Sequence, residues 1–224
     1  MLKAGSSSTC ASACAILASS GEETRMDFRM GLALVVTAFI AVLLLGLPPA
    51  AFAAADQLDL PVVEQEHSEW CWDADASAVL AFRGVPATQC AIENWVGSID
   101  YACANYPFYW DDAANSPNYL AGTTGIAGIL WYWGRRDSQY YTEPLAYPAV
   151  RSAIMRGHPI VVLWNWYGGG GHFIVIDGYD DDGSLVYFMN PWPGEGAGIG
   201  DYEWIRDGSG EMGTHWWSES LITY

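Results

Sequence analysis

The chain has 224 residues, a formal net charge of −17 and an aromatic content of 14 %. Three of its nine basic and three of its 26 acidic residues precede Asp56, so the whole negative balance falls on the 169 residues from Asp56 to Tyr224. Such a surface excludes nucleic acid and anionic membrane as partners, since both need a basic face. It suits solubility, tolerance of salt or acid, and either cationic substrates or no specific partner at all.

Residues 1–29 are rich in small residues and lack periodicity, and are expected to be a disordered extension and n-region. Translation starting at Met26 leaves a short basic flank with Arg29. Residues 30–55 carry no charge, are almost wholly apolar to Leu47, and end in Pro48-Pro49 and Ala51-Phe52-Ala53. That is the layout of a cleaved secretory signal. An uncleaved anchor is the alternative, because the apolar run is close to spanning length. Residues 56–224 fit one domain, large enough to bury a core. A monomer is expected, secreted, and without stable membrane association once the signal is removed.

Asp56 to Glu69 reads as an extended entry segment. Cys71 to Phe82 reads as a helix, favoured by Ala74, Ala76 and Ala78 and stopped by Gly84. Asp73 and Asp75 fall near its start, where the macrodipole favours carboxylates. Either of them beside the sulfur raises the thiol pKa and opposes activation. A second helix runs from Thr88, its cap, to Val96. Gly125 to Trp133 forms a third helix and Pro148 to Arg156 a fourth, with Pro148 in its first turn and Gly157 closing it. The 97–122 stretch is irregular.

Strands follow: Pro159 to Trp166, His172 to Tyr179, and Ser184 to Met189, the last two joined by the turn Asp180-Asp181-Asp182-Gly183. A short strand is expected near Tyr202 to Ile205. Helices followed by a run of strands give an α+β class, N-terminal helices packed on a C-terminal antiparallel sheet.

Of the three cysteines after Asp56, Cys90 and Cys103 are expected to pair, a bridge worth about 3 kcal/mol. Cys71 remains free. A thiol attacks as thiolate, and two devices stabilise it: the start of a helix, and a histidine that takes the proton and stays as imidazolium. His172 is the best placed base, since it opens a strand after four glycines that let a substrate backbone approach. His158, between Gly157 and Pro159 in a helix-to-strand turn, reads as structural, His67 in the extended approach reads as exposed, and His215 has no supporting neighbours. Asn190 ends the partner strand of the same hairpin, so it lies beside His172 and orients the ring. Trp192 shields that bond. The oxyanion takes the backbone N–H of Cys71 and the side-chain amide of Gln65. Trp72, Gly170, Gly171 and Trp192 are the candidate substrate contacts. No metal or cofactor motif is present, and the Asp180–Gly183 run lacks the spacing of a calcium loop.

The residues Gln65, Cys71-Trp72, Gly171-His172 and Asn190-Pro191-Trp192, in that order, resemble the papain-like cysteine peptidases. Arg156-Gly157-His158-Pro159-Ile160-Val161-Val162 and the His172–Asp180 run resemble the compact bacterial secreted branch, with domains similar to double-glycine leader peptidases. The Cys-to-His separation is shorter than in plant and lysosomal papains, and Ser68-Glu69-Trp70 replaces their motif before the nucleophile, so their substrate rules do not carry over. The resemblance implies a papain-like fold and peptide-bond hydrolysis of a peptide or protein substrate through a Cys-His-Asn thioester mechanism. An amidase, transpeptidase or acyltransferase with the same dyad, and a catalytically silent binding module, are the alternatives.

Overall fold

The computed structural model describes residues 54–102, 112–134, 137–210 and 213–224. The expected extension and signal, and Cys103 of the expected bridge, lie outside them. Cys90 is disulfide-bonded, and Cys71 is the free cysteine among the described residues.

Strand β1 (Ala55–Gln57) precedes helix α1 (Cys71–Phe82), α2 (Gln89–Gly97) and α3 (Ile126–Tyr132). Then come β2 (Ser138–Tyr141), α4 (Tyr147–Ile154), β3 (Ile160–Trp166), β4 (Gly171–Asp180) and β5 (Leu185–Asn190). The chain closes with β6 (Gly196–Asp201), α5 (Tyr202–Arg206), β7 (Asp207–Gly210) and β8 (Gly213–Thr223). The four helices read from the sequence fall within about two residues of their expected bounds. Thr88 caps α2 by accepting the Ala91 N–H, and a proline sits in the first turn of α4. Gly84, at φ +75°, supplies the left-handed residue that ends α1.

Among the described residues the strands form one eight-stranded antiparallel sheet, in the order β2-β8-β3-β4-β5-β6, with β1 paired to β4 and β7 to β8. Alternation along the strands divides the core in two. Val161, Phe173, Val175, Met189 and Leu221 face α1, α2 and α3. Ile160, Val162, Trp164, Ile174, Phe188 and Trp217 face the side covered by α4 and α5. The class is α+β as expected, but helices cover both faces rather than one.

The strand expected near Tyr202 is the short helix α5. Strands β2, β6, β7 and β8 were not anticipated, and β8 lies inside the sheet between β2 and β3. It is held there by its ladder with β3, from Ile160↔Ile222 to Trp166↔His215.

Helix α1 is buried on every side from Cys71 to Leu80. It packs on β4, α2 and α3, so no polar face is available to it. Asp73 and Asp75 are therefore fully buried, and among the described residues neither carboxyl has a hydrogen-bond partner. Burial holds both well above the usual carboxylate range, Asp73 with a further push from Glu93 and Glu66. The expected role of these two as dipole-stabilised anions is thus corrected: they sit in the core as neutral acids, because an unpaired buried charge costs far more than a helix dipole returns.

Burial also raises Glu93 to about 7 and Asp177 to about 6. An acid whose folded pKa lies above its unfolded value binds more protons when folded, so its contribution is full below about pH 4 and is lost as pH rises through the folded value. The contribution of these acids is therefore expected to be greatest near pH 4 and to fall toward pH 7, each removing about 1.4 kcal/mol per pH unit inside its window, while His172, lowered to about 4, works in the opposite sense. Denaturant midpoints across pH 4–8 measure this. Asp75→Asn, which keeps the shape without the ionisation, is expected to flatten the slope.

Candidate active site

The β4–β5 ladder runs from Asp180↔Leu185 to Val175↔Met189 and stops. Beyond that point the strands part, and the side chains of His172 and Asn190 span the opening. His172 Nε2 lies 2.7 Å from Asn190 Oδ1. The same Oδ1 accepts the Trp192 backbone N–H at 3.0 Å. Only an oxygen can accept from an N–H, so that contact fixes the orientation of the amide. Nε2 must then be the protonated nitrogen of the neutral ring, and Nδ1 carries the lone pair. The register places His172 two positions from the residue opposite Asn190, a diagonal pair within side-chain reach.

Cys71 is the first residue of α1, and its N–H has no partner within the helix. The backbone amides of Phe173 and Trp72 favour the thiolate form of its sulfur, and Cys71 shares a buried cluster with Phe173, the residue that follows His172. Among the described residues no hydrogen bond joins the sulfur to the imidazole. Burial pushes the thiol up to about 12, against the pull of the Phe173 and Trp72 amides. Burial also brings His172 down to about 4, with Asn190 opposing and His215 adding to it. Both shifts favour a neutral thiol and a neutral imidazole over the expected thiolate–imidazolium pair.

Gln65 enters the site through its backbone, whose N–H donates to Pro191 O at 2.8 Å. Its side chain is used differently from expectation. Nε2 donates to His67 O and Ser68 O, both at 2.8 Å, while the buried Oε1 has no partner. The amide holds the turn that leads into α1, and it can meet an oxyanion only by releasing one of those carbonyls.

Trp72 is 1 % exposed and its indole N–H donates to Ser116 O. It is a core residue and not a substrate contact, because position two of α1 points into the helix layer. Gly170 and Gly171 are exposed, and Gly169 and Gly170 adopt φ +95° and +82° in the β3–β4 turn. Their first task is to close that hairpin. Trp192 is 45 % exposed and meets the His172 ring edge-on at 5.8 Å, so it forms the outer wall beside the His–Asn bond.

Two supports were missed in the sequence. Gln89 grips the entry segment on both sides of Gln65: its Oε1 accepts from Glu66 N–H and its Nε2 donates to Glu64 O. A glutamine one residue after a helix cap gives no signal of a contact 25 positions away. His215 is buried rather than unsupported. It stacks on Trp164 at 4.0 Å and bonds Trp204 O through Nε2.

Residues 57–205, more than half of the chain, match the sequence model of the Peptidase_C39 like family. The chain belongs to that family. Membership agrees with the resemblance carried by Gln65, Cys71-Trp72, Gly171-His172 and Asn190-Pro191-Trp192. A double-glycine-motif protease from an AMS/PCAT transporter, solved in complex with a leader peptide, is similar at 15 % identity and TM-score 0.42, over 75 % of this chain and 95 % of that one. Xylellain, a cysteine protease from Xylella fastidiosa, is similar at 15 % identity and TM-score 0.47, over 81 % and 88 %. No curated protein matches this chain.

Two measurements follow from this member of the Peptidase_C39 like family. Alkylation of Cys71 by iodoacetamide is expected to rise steadily with pH through neutrality, whereas a fast plateau below pH 7 signals a preformed ion pair. Asn190→Ala frees the ring, and is expected to lower kcat/KM by about a hundredfold or more, within the 10²–10⁴ that general-base catalysis supplies.

Proposed function

We propose that the protein is a secreted thiol peptidase that hydrolyses peptide bonds through a thioester on Cys71. The observation that carries this reading is the pair of bonds accepted by Asn190 Oδ1, from His172 Nε2 and from the Trp192 N–H. They leave the lone pair on Nδ1, the tautomer a general base needs, one residue along β4 from the Phe173 amide that favours the Cys71 thiolate.

As the sulfur attacks the carbonyl carbon, His172 Nδ1 takes the thiol proton. The N–H at the start of α1 donates to the oxyanion, joined by Gln65 if its amide releases a carbonyl. The C–N bond breaks, the proton passes to the leaving amine, and a thioester remains. Water then attacks the thioester with His172 as base, giving a carboxylic acid and restoring the thiol. Export is supported by the uncharged run at 30–55 with its Ala51-Phe52-Ala53 site. A Cys90–Cys103 bridge suits an oxidising compartment.

A second reading, a silent binding module, is favoured by the occupied amide of Gln65 and the raised thiol. One experiment separates them. The full chain and Cys71→Ala are incubated with a peptide library in ¹⁸O-water, with and without hydroxylamine, and the products are weighed. Cleavage that needs Cys71 and leaves one ¹⁸O on the new carboxyl supports hydrolysis. Products that form only with an added amine mark an acyltransferase, and no turnover in any arm marks the silent module.

A further inference from the structure

On the sheet face opposite α1, the ends of β3, β5 and β8 and the helix α5 enclose a cavity of about 230 Å³. Trp164, Trp166, Phe188, Trp204 and His215 form its walls. This is smaller than the roughly 300–1,000 Å³ that whole small-molecule ligands occupy, and it suits a single side chain.

Three of the ring pairs stand at steep angles. Trp164 meets Trp204 at 86° and 5.7 Å, Trp166 at 63° and 6.3 Å, and Phe188 at 64° and 6.2 Å. The polar edges of two indoles are tied back, Trp164 Nε1 to Ile205 O and Trp204 Nε1 to Ser209 O. The enclosure is thus built of aromatic rings whose polar edges are engaged elsewhere, and an aromatic face attracts a cation. His215 adds no positive charge, since burial lowers its pKa. Among the described residues, the exposed Glu195 is the charged side chain in the lining. The strongly acidic domain around it draws in cations from a distance.

The cavity adjoins the proposed catalytic groups. Asn190 forms part of its wall while holding His172. Trp166, another wall residue, stacks on the His172 ring at 6.2 Å and 21°. We propose that this cavity is a specificity pocket for a basic side chain, arginine or lysine, of the peptide on which Cys71 acts. The proposal rests on the peptidase reading for the identity of the ligand, and on the aromatic enclosure with Glu195 for its charge.

The test begins with binding, which needs no turnover. The full chain carrying Cys71→Ala is titrated with N-acetyl-arginine amide and with its neutral counterpart, N-acetyl-citrulline amide, followed by tryptophan fluorescence and calorimetry. The arginine derivative is expected to bind about tenfold more tightly or better. Glu195→Gln, an exposed and shape-preserving change, is expected to bring the two within about threefold, and Trp204→Ala to abolish binding of both. Equal affinity for the two amides, or no binding of either at millimolar concentration, overturns the proposal. Cleavage by the unmodified chain is then measured on fluorogenic peptides with arginine, lysine, leucine or glutamate at each position around the scissile bond. Cleavage without preference for a basic residue at any position removes the pocket and leaves the peptidase. Charge-selective binding with no cleavage removes the peptidase and leaves the pocket.

Discussion

The whole site depends on where the β4–β5 ladder ends. Paired strands would leave no room for a foreign side chain, because neighbouring strands lie only about 4.8 Å apart. Here the ladder stops at Val175↔Met189, and just beyond it the Phe173 amide favours the thiolate form of Cys71. One side-chain bond, His172 to Asn190, replaces the missing rungs. Pro191 lies just past the last rung and cannot donate to a ladder, so it helps to end one. Its carbonyl is taken instead by the N–H of Gln65.

Three separate stretches of chain meet at that gap, and each is anchored by something other than the chemistry. The entry segment is gripped by Gln89. The turn before α1 is pinned by Asn115, which bonds both Glu69 N–H and Ser68 Oγ, and by the Trp70 indole on Ala114 O. The hairpin is anchored by two cores, one on each face of the sheet. Such supports let the catalytic groups be few and buried while their geometry stays fixed.

Much of this was legible in the sequence. Alanine-rich spacing gave α1, Thr88 and Pro148 marked two helix starts, and the Asp180–Gly183 turn forced His172 and Asn190 together. Other features were hidden for physical reasons. Strand β6 is built on Gly196, Gly198 and Gly200, poor strand formers that succeed because bulkier residues collide there: a Cβ on Gly198 would lie 2.5 Å from the Phe188 ring. Asp73 and Asp75 look like a solvated helix start, and only the packing of α2 and α3 over them reveals neutral acids. The direction of the Gln65 amide depends on carbonyls two and three residues away, which no spacing encodes. His215 draws its surroundings from Trp164 and Trp204, brought together by a strand that the local pattern did not announce.

Strand β8 leaves the ribosome after every other element described, yet it occupies an interior place in the sheet. A nascent chain that has already emerged through β5 holds Cys71, His172 and Asn190 but presents β3 with one edge bare. Until β8 pairs, its ladders with β2, β3 and β7 are all missing, so the sheet that carries these residues is completed by the last described stretch of chain.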